Sequence, residues 1–321
     1  MSVEPRNWHT VDVGGLNMRV MDAGVGEPML FLHGWGLTPR IYSRALAHLY
    51  GEGVRVIAPA MPGYAGSDPP PREGHSLDWY AARLEMLLES LGIEVPVFIA
   101  GHSLGGGVAI RFATNHPEWV RSLTLVDPVG GSPSKFGRRS TSQVMTHRPW
   151  WQWAVGAARE ADPRLLPGLL PGVLRDFVPS AVRQPVSMLL SGVAALTADL
   201  AGEAQTLVDS GLPVVFVWGD RDRLMLPGAF SAIVQEIPAS IVHGRHGWLL
   251  SDPEQFGSVL HDSLLVHAML EQERRGRSVV PDEDTTLAKV IPHERRKRAR
   301  TPQTPRGPRG TRAPRPGGDA S

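Results

Sequence analysis

The stretch Val97-Phe98-Ile99-Ala100-Gly101-His102-Ser103-Leu104-Gly105-Gly106-Gly107 decides the fold. Val97–Ala100 is a short continuous apolar run, which reads as a strand covered on both faces. Leu104 to His116 reads as a helix that opens on three glycines and stops before Pro117. Ser103 therefore falls in the turn between a buried strand and a helix, in the pattern G-x-S-x-G. With 35 glycines in the chain, the pattern alone would arise by chance in about one such chain in four, so its position carries the weight. A serine in so sharp a turn is held in strained backbone geometry, while Gly101 and Gly105 avoid clashes and the hydroxyl is lifted above the sheet edge. The helix N-terminus beneath it favours negative charge. The plainer alternative is a serine that only caps a glycine-rich helix. Neither G-x-x-x-x-G-K-[ST] nor G-x-G-x-x-G occurs, so no phosphate-bearing cofactor is expected.

Outward from that turn, similar apolar runs recur at Met29–Leu32, Val54–Ala58, Leu123–Val126, Val214–Trp218 and Ile241–His243, each separated by helix-length segments. Buried strands alternating with helices predict an α/β architecture: a mostly parallel, doubly wound sheet with right-handed crossovers. Trp8 to Val13 and Leu16 to Ala23 alternate apolar and polar residues around Gly14-Gly15, predicting an antiparallel N-terminal hairpin at the sheet's edge. Leu77, Tyr80, Leu84, Leu87, Leu88 and Leu91 form one apolar stripe on a helix that packs on the sheet. Between Pro133 and Gly211 the strand rhythm lapses into short helical segments set off by Pro163, Pro167, Pro171 and Pro179, and this reads as a helical cap insertion. The expected division is a core at 1–132 and 212–270, a cap at 133–211 and a disordered, basic Pro/Arg-rich tail at 271–321.

Composition narrows the function classes. The absence of cysteine excludes a disulfide scaffold, thiolate metal sites and a cysteine nucleophile. No apolar run approaches the roughly 20 residues that span a bilayer, and Met1–Thr10 lacks the apolar stretch of a signal peptide; a soluble, cytoplasmic protein is the expectation. The net charge of +1 hides an asymmetry: from Glu271 onward there are 13 Lys and Arg against 7 Asp and Glu. That tail reads as a solvated linker, with weak adhesion to an anionic surface as the alternative. No aromatic residue interleaves with its arginines, so no specific nucleic-acid partner is expected. His243 and His246 form only a fragment of a metal site, and no metal is expected.

A serine hydroxyl needs a base to take its proton and an acid to orient that base. His246, in Gly244-Arg245-His246-Gly247, follows the last apolar strand and precedes the helix that Pro253 begins; it would lie in a loop at the strands' carboxyl edge, where open α/β sheets gather ligands. His243 is the rival, placed by the same reading inside the strand. For the acid, Trp218-Gly219-Asp220-Arg221-Asp222 puts two carboxylates on that edge, and Asp127, ending Leu123–Val126, supplies a third. Asp222 is preferred.

These residues together resemble the α/β-hydrolase superfamily, in particular its single-chain serine esterases and lipases, over about residues 8–270. The resemblance rests on His33-Gly34-Trp35-Gly36, Pro62-Gly63-Tyr64-Ala65-Gly66-Ser67, the Gly101–Gly105 turn with His102 before the nucleophile, Trp218–Asp222, and His246 with Asp252-Pro253-Glu254 after it. Chain order Ser, Asp, His is the family's order. The family's acid stands three residues after the glycine that ends its strand, which selects Asp222. The backbone N–H of Leu104, next to the nucleophile, would meet an oxyanion; the resemblance implies Trp35 N–H as the second donor, a structural role for His33, and glycines at 34 and 36 that let the loop approach substrate. Trp150, Trp151, Trp153, Leu165, Leu166, Leu169, Leu170, Met188, Leu189 and Leu190 suggest an apolar pocket under the cap. The implied function is a cofactor-free serine hydrolase cleaving a carboxylic ester of a small or medium apolar substrate. Lactonase, thioesterase, carbon–carbon bond hydrolase and haloperoxidase or perhydrolase chemistries use the same triad, and a non-catalytic small-molecule receptor is the reading from another class. Nothing in the sequence fixes the oligomeric state.

Overall fold

A computed structural model describes residues 8–131, 173–222, 224–225 and 239–274. In chain order the elements are β1 (Trp8–Asp12), β2 (Asn17–Ala23), β3 (Glu27–Leu32), α1 (Pro39–Leu46), β4 (Val54–Pro59), α2 (Leu77–Ser90), β5 (Val97–His102), α3 (Leu104–Asn115) and β6 (Val120–Val126). A helical turn, Val173–Phe177, leads into α4 (Val178–Arg183), α5 (Pro185–Thr197) and α6 (Ala201–Asp209). The chain closes with β7 (Val214–Gly219), β8 (Ala239–Val242), α7 (Trp248–Ser251) and α8 (Pro253–Arg274).

The strands form one eight-stranded sheet in the order β1-β2-β4-β3-β5-β6-β7-β8. β1 and β2 pair antiparallel, β2 pairs antiparallel with β4, and every pairing from β4 to β8 is parallel. This is the α/β-hydrolase fold, with the predicted hairpin at its edge. Both faces of the sheet are covered, which is why its inner strands are apolar throughout: Val214, Phe216 and Trp218 of β7 join one core with α2, α3 and α6, while Val215 and Val217 join the other with α1, α7 and α8. Helix α2 starts at Ser76, whose hydroxyl accepts Trp79 N–H at 3.1 Å. Its predicted stripe is buried from Leu77 to Leu88.

Three expectations need correction. Helix α6, assigned to the cap, belongs to the core layer: Leu200, Ala204 and Leu207 are buried in the cluster that contains α3, and Arg111 of α3 reaches Glu203 at 3.2 Å. Its apolar positions join the core cluster that contains the sheet. The folded body also extends past residue 270, because α8 continues to Arg274 and Arg121 holds Glu271 through Nε at 2.7 Å and Nη2 at 3.1 Å. Leu189, expected under the cap, is 66% exposed, whereas Met188 is buried. The remaining cap residues between 133 and 172, including Trp150, Trp151, Trp153 and Leu165 to Leu170, and the tail from 275 onward lie outside the described residues. Among the described residues no single helix is long and apolar enough to cross a membrane.

Candidate active site

Strand β5 delivers Ser103 to the sheet's carboxyl edge with φ +52° and ψ −117°. A non-glycine residue there costs about 1–3 kcal/mol and must be held by its surroundings. The hold is visible: Ser103 N–H donates to Val126 C=O at 3.0 Å, and its own carbonyl accepts from Gly106, Gly107 and Val129 N–H at 3.0–3.2 Å. Side chains would destroy the turn. A Cβ on Gly101 would lie 2.5 Å from Gly105 O, and one on Gly105 would lie 2.2 Å from Leu32 O.

His246 lies between β8 and α7, and Asp222 lies three residues past Gly219, the end of β7. Asp222 Oδ1 accepts Leu224 and Met225 N–H at 2.7 and 2.9 Å. Its Oδ2 faces His246 Nδ1 at 2.8 Å, and His246 Nε2 faces Ser103 Oγ at 3.0 Å. With the carboxylate accepting at Nδ1–H, the other ring nitrogen carries the lone pair and accepts the serine proton. The Asp222 side chain is fully buried and that of His246 is 13% exposed, so the line of contacts is largely screened from water.

The rival residues take other places. Asp220 is exposed; its Oδ1 accepts Gly244 N–H at 2.9 Å, and its Oδ2 lies 3.0 Å from His243 Nδ1. The Gly244 amide, ahead of His243, pulls the Asp220 carboxyl below its ordinary range. His243 is not in the strand, which ends at Val242. Asp127 is buried at the end of β6 and accepts Gly219 N–H at 3.0 Å and Trp248 Nε1–H at 2.9 Å.

The loop after β3 abuts the serine turn. A Cβ on Gly34 would stand 2.7 Å from His102 Nδ1 and 3.4 Å from Ser103 Cβ. Glycine at 34 is therefore demanded by the protein's own packing. Gly36 has φ +71°, a conformation glycine adopts without strain. Among the described residues, neither Trp35 N–H nor Leu104 N–H donates to a protein acceptor. Trp35 Nε1–H donates to Met188 C=O of α5 at 2.9 Å, and its ring meets Phe177 edge-on at 6.4 Å. His33 is wholly buried: Nδ1–H donates to Gly34 C=O at 2.9 Å, and Nε2 accepts Met61 N–H at 3.0 Å. Burial pushes its pKa down to about 4, so it stays neutral and structural.

A relay joins this loop to the base. Gly34 N–H donates to Tyr42 Oη at 3.2 Å, Tyr42 O–H donates to His102 Nδ1 at 2.8 Å, and His102 Nε2–H donates to His246 C=O at 3.3 Å. Burial first, and the adjacent His246 second, hold His102 well below the ordinary histidine range. Sequence reasoning missed Tyr42, which sits in α1 with no motif around it, and Trp248, whose only signal is an aromatic ring two residues after His246. Ligating atoms of His102, Asp127 and His246 come within 4.8 Å of one another. Each is already engaged, His102 by Tyr42, Asp127 by Gly219 and Trp248, and His246 by Asp222 and Ser103.

Comparison with known proteins follows this geometry. A phage protein provisionally named a non-heme haloperoxidase, from Mycobacterium phage D29, is 29% identical over 266 residues, covering 78% of this chain and 92% of the other. The pimeloyl-[acyl-carrier protein] methyl ester esterase of Aromatoleum aromaticum is 30% identical over 261 residues, covering 73% and 96%. Among solved structures, a thermophilic esterase from Thermogutta terrifontis superposes with a TM-score of 0.63 at 21% identity, covering 81% of this chain and 99% of that one. The model of the alpha/beta hydrolase family matches residues 29–259, a span that takes in Ser103, Asp222 and His246, and the chain belongs to that family.

Proposed function

We propose that this protein is a serine hydrolase that cleaves carboxylic esters of small or medium apolar substrates through an acyl-enzyme, with Ser103 as nucleophile, His246 as base and Asp222 as the acid that orients it. The observation that carries this is the unbroken contact from Ser103 Oγ to His246 Nε2 at 3.0 Å and from His246 Nδ1 to Asp222 Oδ2 at 2.8 Å. Ser103 attacks the ester carbonyl as its proton passes to His246 Nε2. Asp222 stabilises the resulting imidazolium, and the negative oxygen of the tetrahedral intermediate is met by Trp35 and Leu104 N–H. His246 returns the proton to the departing alcohol, then takes one from water as water attacks the acyl-enzyme; collapse frees the acid and Ser103. Esterase relatives in the family support an ester as the substrate.

Labelling by a fluorophosphonate together with turnover of p-nitrophenyl esters of graded acyl length tests the reading. Both activities should vanish in Ser103→Ala, with kcat falling by about four powers of ten or more and circular dichroism unchanged. A wild-type chain that takes no label and turns over no ester would overturn it. Attack of hydrogen peroxide in place of water on the same acyl-enzyme is a second reading, favoured by the phage relative's name. It predicts peracid formation from a carboxylic acid and peroxide, lost in the same variant.

A further inference from the structure

Asp127 is a buried carboxylate that the steps above do not use. It ends β6 with φ +43° and no exposed surface, a left-handed backbone that a non-glycine residue adopts at a cost of about 1–3 kcal/mol. Its two oxygens reach in different directions: Oδ1 accepts Gly219 N–H at 3.0 Å, three residues ahead of Asp222, and Oδ2 accepts Trp248 Nε1–H at 2.9 Å, two residues beyond His246. One carboxylate thus fastens the loop that carries the acid to the loop that carries the base. A carboxylate oxygen also lies within 4.8 Å of ring nitrogens of His102 and His246. The ionisable groups around it are His102 from the end of β5, His246 from the loop before α7 and Asp222 from the loop after β7. Burial and the neighbouring Asp222 push its pKa up, while positive charge on His246 and the two N–H donors pull it down. Its ionised form is therefore favoured when His246 is protonated.

We propose that Asp127 is a positioning residue for His246, clasping the acid and base loops to the end of β6 and serving as counter-charge to the imidazolium. Its effect on turnover rests on the serine-hydrolase reading; its contact with His246 does not. In Asp127→Asn the new Nδ2 would face Trp248 Nε1–H, donor against donor, so the substitution is paired with Trp248→Phe, and Trp248→Phe alone is the reference. The pKa of His246, followed by NMR in the full chain and assigned with His246→Gln, reads the contact without turnover.

The paired variant should titrate His246 lower than the reference by about half a pH unit or more, since the imidazolium loses a neighbouring anion, and ester kcat/KM should drop by about tenfold. A His246 titration that coincides with the reference within about 0.2 pH unit overturns the proposal, whatever happens to thermal stability. In the wild-type chain, which needs no variant to fold, the Trp248 indole N–H resonance should step at the pH where His246 titrates; a flat resonance overturns the proposal equally. Failure of the serine-hydrolase reading would appear separately, as a wild-type chain that takes no fluorophosphonate.

Discussion

The floor and the roof of the site are built by opposite means. Below, Ser103, Asp222, His246, His102 and Asp127 come from the ends of β5, β6 and β7 and the loop after β8; Ser103, Asp222, His102 and Asp127 each bond to backbone, and His246 is held between the side chains of Asp222 and Ser103. Above, among the described residues, α4 and α5 meet the β3 and β4 loops through Trp35 Nε1–H on Met188 C=O at 2.9 Å, Tyr64 Oη with Ser191 Oγ at 2.9 Å, and Ala65 N–H on Ser180 Oγ at 3.1 Å. Val182 and Val186 on those helices point to solvent. A floor tied by such bonds holds reactive atoms in register, as chemistry demands. On the proposed function, reaction type should follow the first region and substrate choice the second.

The largest expected effect separates two carboxylates of the floor's own rim. Asp222→Asn should lower kcat by about three to four powers of ten, because the amide no longer fixes the base's tautomer. Asp220→Asn, two residues away and exposed, should change kcat by less than about twofold. Equal losses in steady-state assays of the two variants would erase the distinction drawn between them.

Acid should destabilise the fold through its buried histidines, among them His267 of α8, which bonds Thr124 of β6. Burial holds His33 at about 4, His267 at about 3 and His102 well below 6.5. Each of these native pKa values is lowered, so between pH 6.5 and about 4 the unfolded chain binds protons that the folded chain refuses. Stability is then full above pH 6.5 and is lost as pH falls, by about 1.4 kcal/mol per pH unit for each histidine. Urea midpoints from pH 7 to pH 4.5 should fall, and His267→Gln should flatten that slope; an unchanged slope would show that His267 titrates alike folded and unfolded.

The smallest effect should come from the roof. Trp35→Phe removes the Nε1–H bond to Met188, about 1 kcal/mol of docking, and should shift kcat/KM for long-chain p-nitrophenyl esters by about fivefold while leaving acetate within about twofold. A uniform loss across chain lengths would place Trp35's side chain with the floor.

Much of the sheet is legible in the chain because a strand buried on both faces must be apolar at every position, as Val214–Trp218 is. The turn at Ser103 is legible because Gly101 and Gly105 are forced by contacts with backbone, which no side chain can share. Spacing alone does not choose between Asp220 and Asp222. That choice depends on a turn that buries one carboxylate against Leu224 and Met225 N–H and leaves the other at the surface. Helix α6 reads like cap because Ala204 and Leu207 would suit either layer, and only packing against α3 assigns it. His243 reads as strand because nothing in its neighbours announces that Gly244 N–H turns toward Asp220. The clasp at Asp127 joins residues 92 and 121 positions apart, and no local pattern encodes a partner at that distance.

Helix α8 begins at Pro253 near the reactive rim and runs the depth of the sheet, so that Glu271 meets Arg121 at the start of β6 and, through Arg121, Glu27 at the start of β3. The chain therefore leaves its described body on the far side of the molecule from Ser103. Anything grafted directly after Arg274, whether an affinity handle, a surface tether or a fused domain, would start out on the side away from Ser103.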